Sequence, residues 1–184
     1  MSYDCRHCKT SGYRGHLSEA AYRIGYATLD PESGEEFSFN DTVGEQTAET
    51  GFRKANAIQG ANIIQAYGGG ICQVSTTLFI PALYSGLDIP ERWCHNYVSS
   101  YAEPGMDAAV AWGGLDFRIV NNKKYPIVLQ VTYANGQLTA SIWGTKTEKS
   151  SVKVETQVLN SSGETLDVQT IRKISFPDNE NAVI

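Results

Sequence analysis

No run of about eighteen apolar residues occurs in the chain, and Met1 opens onto a polar stretch instead of a basic and then apolar leader. As given, the chain is expected neither to cross nor to enter a membrane unaided. Charge is also scarce: 19% of residues are Asp, Glu, Lys or Arg, the net charge is −5, and the Lys and Arg are scattered. That excludes the clustered basic surface whose counterion release drives phosphate binding, so no nucleic-acid partner is expected. Cysteines number only four, Cys5, Cys8, Cys72 and Cys94, too few and too unevenly spaced for a disulfide framework. Repeats and low-complexity tracts are missing too. What is present, 184 residues with 41% hydrophobic content, suffices for one compact body with a sizeable core.

The two N-terminal cysteines form Cys5-Arg6-His7-Cys8, with His16 a little downstream. A CxxC with nearby histidines is zinc-like, but a second ligand pair at the usual spacing is missing, and the redox form of the motif follows a strand and opens a helix. Residues 1–16 therefore read as a flexible N-terminal segment or one closed by a local disulfide, and no metal or cofactor is expected.

Leu17, Ala20, Ala21, Ile24 and Ala27 recur at helical spacing, which predicts a helix from Leu17 to Leu29 closed by Asp30-Pro31. Phe37-Ser38-Phe39 alternates as a short strand, and Ala57 to Gln65 reads as a bent strand or hairpin around Gly60. From Cys72, Val74, Leu78, Ile80, Ala82 and Leu83 predict a central helix stopping at Gly86, with a kink or early break at Pro81. Beyond Pro90 the chain turns to strands: Ala108 to Trp112, Leu115 to Val120, Ile127 to Tyr133 and Leu138 to Trp143. Asn135-Gly136 between the last two is a two-residue hairpin signal, because both central positions need positive φ. Thr145 to Ser151 reads as a linker. Val152 to Leu159 and Leu166 to Ile174 flank Ser161-Ser162-Gly163 as a further hairpin that extends the main sheet or swaps onto a neighbour. The fold class is α+β, a cysteine-bearing central helix packed on a mainly antiparallel sheet.

The chemistry concentrates at Gly68-Gly69-Gly70-Ile71-Cys72-Gln73-Val74-Ser75-Thr76-Thr77. The first amides of a helix lack intrahelical partners and carry partial positive charge, so a cysteine placed there tends toward thiolate. Glycines before it let backbone and substrate approach closely, and the plain alternative is an inert buried cysteine after a glycine turn. A thiolate needs a base, and the base needs an orienting acceptor. Of the three histidines, His7, His16 and His95, only His95 lies outside the polar N-terminal segment. Asp107, after Pro104-Gly105, and Asp116, after Gly113-Gly114-Leu115, are the two candidate orienters. Asp116 is the more unusual, since aspartate is depleted in strands, although pairing with Arg118 or capping a turn accounts for it equally well. The order helix-borne Cys, strand-borne His, strand-borne Asp parallels papain-like enzymes by analogy. Gln73 with the Cys72 amide could form an oxyanion hole, and Ser75, Thr76 and Thr77 are first-turn hydroxyls that back-bond to the helix or line the pocket. Trp93, Tyr97, Tyr101 and Trp112 could wall a groove.

Phe37-Ser38-Phe39-Asn40, Val43-Gly44, Thr47-Ala48-Glu49, Gly51-Phe52, the glycine and cysteine block, His95, Tyr101, Pro104-Gly105, Asp107-Ala108 and Gly113-Gly114-Leu115-Asp116 together resemble the VanW-like domain, over roughly Leu17 to Gly144. Cys94 and the Cys5 to Cys8 segment depart from the family pattern. VanW-like domains occur mostly in Gram-positive envelope proteins and took their name from glycopeptide-resistance clusters. In some clostridial members they are associated with L,D-transpeptidase activity that forms 3-3 peptidoglycan cross-links. The resemblance implies an extracytoplasmic enzyme of the cell envelope whose partners are peptidoglycan stem peptides. Cys72 would be nucleophile, His95 base, and Asp116 or Asp107 orienter; Gly69, Gly70, Gln73, Ser75, Thr76, Tyr101 and Arg118 would contact substrate. Residues 17–146 would form the catalytic domain and 147–184 a C-terminal hairpin extension. The alternatives are a non-catalytic peptidoglycan- or glycopeptide-binding module and a redox or zinc-dependent regulator using Cys5 and Cys8.

Overall fold

The computed structural model describes residues 3–5, 14–31, 35–59, 62–145, 149–163 and 165–176. The architecture is α+β, with helices packed on antiparallel sheets. The main sheet has four strands, in the order β1 (Tyr3–Cys5), β9 (Gln137–Gly144), β8 (Ile127–Ala134) and β2 (Tyr26–Leu29). Its centre is the predicted hairpin: Val131 pairs with Ala140 and Leu129 with Ile142, and the turn residues Asn135 and Gly136 have φ of 52° and 79°.

The first helix, α1, runs Arg14–Ile24 and buries Leu17, Ala20, Ala21 and Ile24 along one stripe. It stops five residues before sequence spacing predicts it to. Gly25 takes φ +46°, its amide bonds the Ala21 carbonyl at 2.8 Å, and Tyr26–Leu29 then pairs with β8 as strand β2. Phe39 likewise belongs to a short helix, α2 (Phe39–Val43), after strand β3 (Glu36–Ser38). The Ala57 to Gln65 region is a hairpin of β4 (Lys54–Gln59) and β5 (Asn62–Tyr67) that delivers the chain to the glycine run.

The central helix, α3, spans Ile71–Tyr84 and continues through Pro81 instead of breaking there. Ile71, Gln73 to Leu83 and Leu87 are all buried, so the helix is covered on every side, with α1, β1 and β9 among its neighbours. Proline removes one helical donor, and tertiary burial of this whole segment outweighs the loss.

After α3 come β6 (Asp88–Glu91) and, much later, β7 (Arg118–Val120), which with β3 make a three-stranded sheet in the order β3-β7-β6. The predicted strand at Ala108 to Trp112 reduces to one antiparallel bridge, Trp93 to Ala109. Leu115 to Phe117 also precedes the strand that sequence patterning begins at Leu115. The segment from Arg92 to Phe117 is irregular because its groups bond to α2, α3 and each other instead of to a sheet edge. The last two strands, β10 (Ser151–Ser162) and β11 (Thr165–Ser175), form a separate two-stranded sheet instead of extending the main one. Among the described residues no helix is long and apolar enough to cross a membrane.

Candidate functional site

Cys72 is the second residue of α3, and the glycine turn before it is built to hold it there. Gly70 caps the helix in the left-handed region at φ +88°, and Gly68 has φ +76°. Gly69 is buried against β4: a Cβ there would lie 2.6 Å from the backbone C and O of Ala55. Gly69 is thus required by the packing of two backbones, and the turn bonds Ile71 N to Gly68 O and Gln73 N to Gly70 O, both at 3.0 Å, lock the helix entry. The half-buried Cys72 sulfur sits against the main chain of Val110, 3.5 Å from its nitrogen and 3.4 Å from its oxygen.

Ser75 and Thr76 hold the Val110 segment in that position. Ser75 Oγ donates to the Ala108 carbonyl at 2.6 Å, and Thr76 Oγ1 accepts from the Ala108 amide at 2.9 Å. Both side chains are buried and bond internally, Ser75 Oγ also reaching back to the Cys72 carbonyl at 3.0 Å. Thr77 Oγ1 back-bonds to the Gln73 carbonyl at 2.6 Å, and Gln73 is itself buried at the helix start.

His95 stands on the irregular segment after β6, where its imidazole meets Asp107. Nδ1 lies 2.6 Å from Asp107 Oδ2, and the same oxygen accepts the His95 backbone amide at 2.7 Å. Tyr101 Oη lies 3.2 Å from Nε2 with its ring edge-on to the imidazole. Burial disfavours a charged ring here, but the hydrogen bonds to Asp107 and to Cys72, reinforced by their negative charge, outweigh it and push His95 up to about 9. Asp107 is subject to the same burial, yet its bonds to His95 and the nearby Arg92 guanidinium hold it below the usual carboxylate range. Cysteine, histidine and aspartate from three separate stretches of chain therefore converge, although neither His95 nor Asp107 rides on a strand.

Asp116, the other candidate orienter, is elsewhere. Its carboxylate accepts from Ser38 Oγ at 2.6 Å, from Asn40 N at 2.9 Å and from Phe117 N at 2.8 Å, and pairs with Arg118 Nε at 3.1 Å. It caps α2 through Ser38, whose own Oγ accepts the Asp41 amide at 3.0 Å. Arg118 stands beside it: Glu36, Glu91 and Asp116 all pair with its guanidinium.

Two contributors escaped sequence reasoning. Val110 acts through its main chain, which no residue type reveals. Arg92 donates from Nε to the Asp107 carbonyl at 2.6 Å and from Nη2 to Asp107 Oδ1 at 3.0 Å, and its guanidinium lies 5.2 Å from the centroid of the Phe79 ring on α3. Its only signal was an arginine close to the single downstream histidine. Cys94 is exposed and unbridged. The Cys5-Cys8 motif lies largely outside the described residues, and the side chains of Cys5 and His16 do too. Among the described residues, no group of three or more His, Cys, Asp or Glu is arranged to hold a metal ion.

The chain is 39% identical over 109 residues to the uncharacterized protein YoaR of Bacillus subtilis (strain 168), covering 59% of this chain and 36% of that one. It is 26% identical over 145 residues to the vancomycin B-type resistance protein VanW of Enterococcus faecalis (strain ATCC 700802 / V583), covering 76% of this chain and 52% of that one. The chain thus spans about half or less of the curated relatives it matches. No solved structure matches it. The model of the family described as "VanW like protein" matches residues 16–143, which contain every residue of the site described above, and the chain belongs to that family.

Proposed function

We propose that this chain is a cysteine-dependent L,D-transpeptidase of the bacterial cell envelope. The observation that carries the reading is the placement of Cys72 at the start of α3, near enough to His95 to help raise it, with Asp107 holding Nδ1 of that imidazole. A sulfur between a helix N-terminus and a charged imidazole is prepared as a nucleophile. In the proposed first step the Cys72 thiolate attacks the carbonyl carbon of the third residue of a donor tetrapeptide. The carbon–nitrogen bond to the terminal D-alanine breaks, its electron pair stays on the leaving nitrogen, and the His95 imidazolium protonates that amine. A thioester on Cys72 remains.

In the second step the side-chain amine of an acceptor stem peptide attacks the thioester, His95 takes its proton, and the thiolate leaves. Water in place of the amine would give L,D-carboxypeptidase activity. With Nδ1 on Asp107, Nε2 is the nitrogen available for these transfers, and Tyr101 beside it steadies the ring. The Cys72 amide, at the helix start, would donate to the developing oxyanion, a donor of this kind being worth about 3 kcal/mol of barrier. The match to a vancomycin resistance protein is in keeping with chemistry on cell-wall stem peptides.

The test is incubation of the purified chain with disaccharide-tetrapeptides. The expected result is an acyl adduct on Cys72 by intact mass and cross-linked dimers with 3-3 linkage, both lost in Cys72→Ala. A Cys72→Ala protein that still makes dimers, or a wild-type protein that binds the muropeptide without adduct or product, would favour the binding-module reading instead.

A further inference from the structure

The carbonyl of Gly105 receives donors from two different parts of the molecule. Arg92 Nη2 reaches it at 3.0 Å, and the Thr170 hydroxyl, on β11, at 2.8 Å. Gly105 has φ +84°, and a Cβ on it would lie 2.5 Å from Thr170 Oγ1 and 2.9 Å from Val168 Cγ1, so the hairpin rests directly on this turn. Asp107 follows two residues later, and Arg92 holds it at both the carbonyl and the carboxylate. The hairpin is itself anchored to the body: Arg172 Nη1 donates to the Leu87 carbonyl at 2.6 Å, and a Cβ on Gly86 would meet Ile174 Cδ1 at 3.2 Å and Val152 Cγ2 at 3.4 Å. Thr170 lies outside the family-matched residues 16–143, yet three hydrogen bonds, through Gly105 and Arg92, link it to the carboxylate that meets the imidazole.

We propose that the β10–β11 hairpin is a working part of the site, with Thr170 and Arg92 as positioning residues that grip Gly105 from two sides and thereby keep the Asp107 carboxylate on His95. Constellations of this kind need alignment within about 0.5 Å, and the Thr170 hydroxyl adds a donor from a second element to those Arg92 supplies. The inference rests on the pairing of Asp107 with His95 in the reading above but not on the identity of the acyl substrate. The groups facing the imidazole are Asp107, the Cys72 sulfur and the Tyr101 hydroxyl, with Arg92 facing Asp107 from behind. Losing the Thr170 hydroxyl changes none of these groups and only frees the turn that carries one of them.

The test uses the full chain as wild type, Thr170→Val and Thr170→Ser. The His95 ring is titrated by NMR, and alkylation of Cys72 by iodoacetamide is followed by peptide mass mapping. For Thr170→Val, with a wild-type melting profile, the His95 titration is expected to move down by about one pH unit or more, toward the ordinary imidazole value, with Cys72 alkylation at neutral pH changed several-fold. Thr170→Ser keeps the hydroxyl and is expected to titrate as wild type. A folded Thr170→Val protein with an unmoved His95 titration overturns the proposal. So does an equal displacement in Thr170→Ser, which would report packing and not the hydrogen bond. If the valine protein does not fold, Thr170→Ala carries the same comparison. Neither readout needs a muropeptide, so absence of cross-linking would sink the transpeptidase reading while leaving this one to its own result.

Discussion

A single oxygen, Asp107 Oδ2, receives both the backbone amide of His95 at 2.7 Å and its ring Nδ1 at 2.6 Å. The two contacts fix the residue's main chain and its ring through one atom, and they hold Nδ1 on the carboxylate while Nε2 meets the Tyr101 hydroxyl.

The consequence for acid and base chemistry separates the two aspartates. Asp107→Asn is expected to lower acylation of Cys72 by roughly a thousandfold or more while leaving a folded protein, since a misdirected tautomer is among the largest single losses in triad enzymes. Asp116→Asn should do the reverse. It weakens the support of the α2 cap and removes one of the three carboxylates paired with Arg118, and should cost about 2–4 kcal/mol of stability with far less effect on the chemistry of the surviving fold. Urea denaturation beside single-turnover acylation distinguishes them.

His95 makes stability depend on pH in a defined direction. Its folded value, about 9, lies above the ordinary 6.5, so the contribution is complete below about pH 6.5 and drains away as pH rises through 9. The loss should reach up to about 3 kcal/mol across that window. Asp107 is shifted downward, so its contribution is present above the ordinary carboxylate value and disappears on acidification. A melting-temperature series should show a shoulder between pH 6.5 and 9 that His95→Gln abolishes; an unchanged shoulder in that variant would refute the assignment.

Much of this was readable beforehand. Asn135-Gly136 set the central hairpin because local φ demands alone choose that turn, and the stripe Leu17, Ala20, Ala21, Ile24 is true helix. Ala27 continued the helical spacing by coincidence. The strand it occupies is chosen by pairing with Leu129, a hundred residues or so away, which no local window contains. The site behaved the same way. Cys72 and His95 stand out from residue chemistry and scarcity, but the choice between Asp107 and Asp116 depends on which turn folds back onto β6 and which caps α2. Ser75 and Thr76 looked available to a ligand because hydroxyls at a helix start usually are; their actual partner, Ala108, is an unremarkable alanine whose main chain does the bonding.

The glycines offer a contrast testable by stability alone. Gly69→Ala forces a methyl to within 2.6 Å of the Ala55 backbone and should destabilise the protein by about 3 kcal/mol or more, or prevent folding. At Gly114 the nearest heavy atom to an added Cβ is 3.8 Å away, and alanine there should change the melting temperature little. Comparable effects at both positions would mean that the glycine turn is not seated on β4 as described.

Ser75→Ala should lower stability by about 1–2 kcal/mol, the usual loss when a buried carbonyl forfeits its donor. Because the bond fixes the segment leading to Val110, the rate of Cys72 alkylation should change along with stability, whereas an exposed hydroxyl such as Ser162 should be replaceable without either effect.

Val110 meets the Cys72 sulfur through its peptide group and not through its side chain. Alanine scanning is therefore blind to it: exchange of residue 110 for any ordinary amino acid preserves both the nitrogen and the oxygen that flank the sulfur. Only deleting the amide hydrogen itself, by proline or by an ester in a semisynthetic chain, can reveal how much that peptide contributes to keeping the sulfur ready.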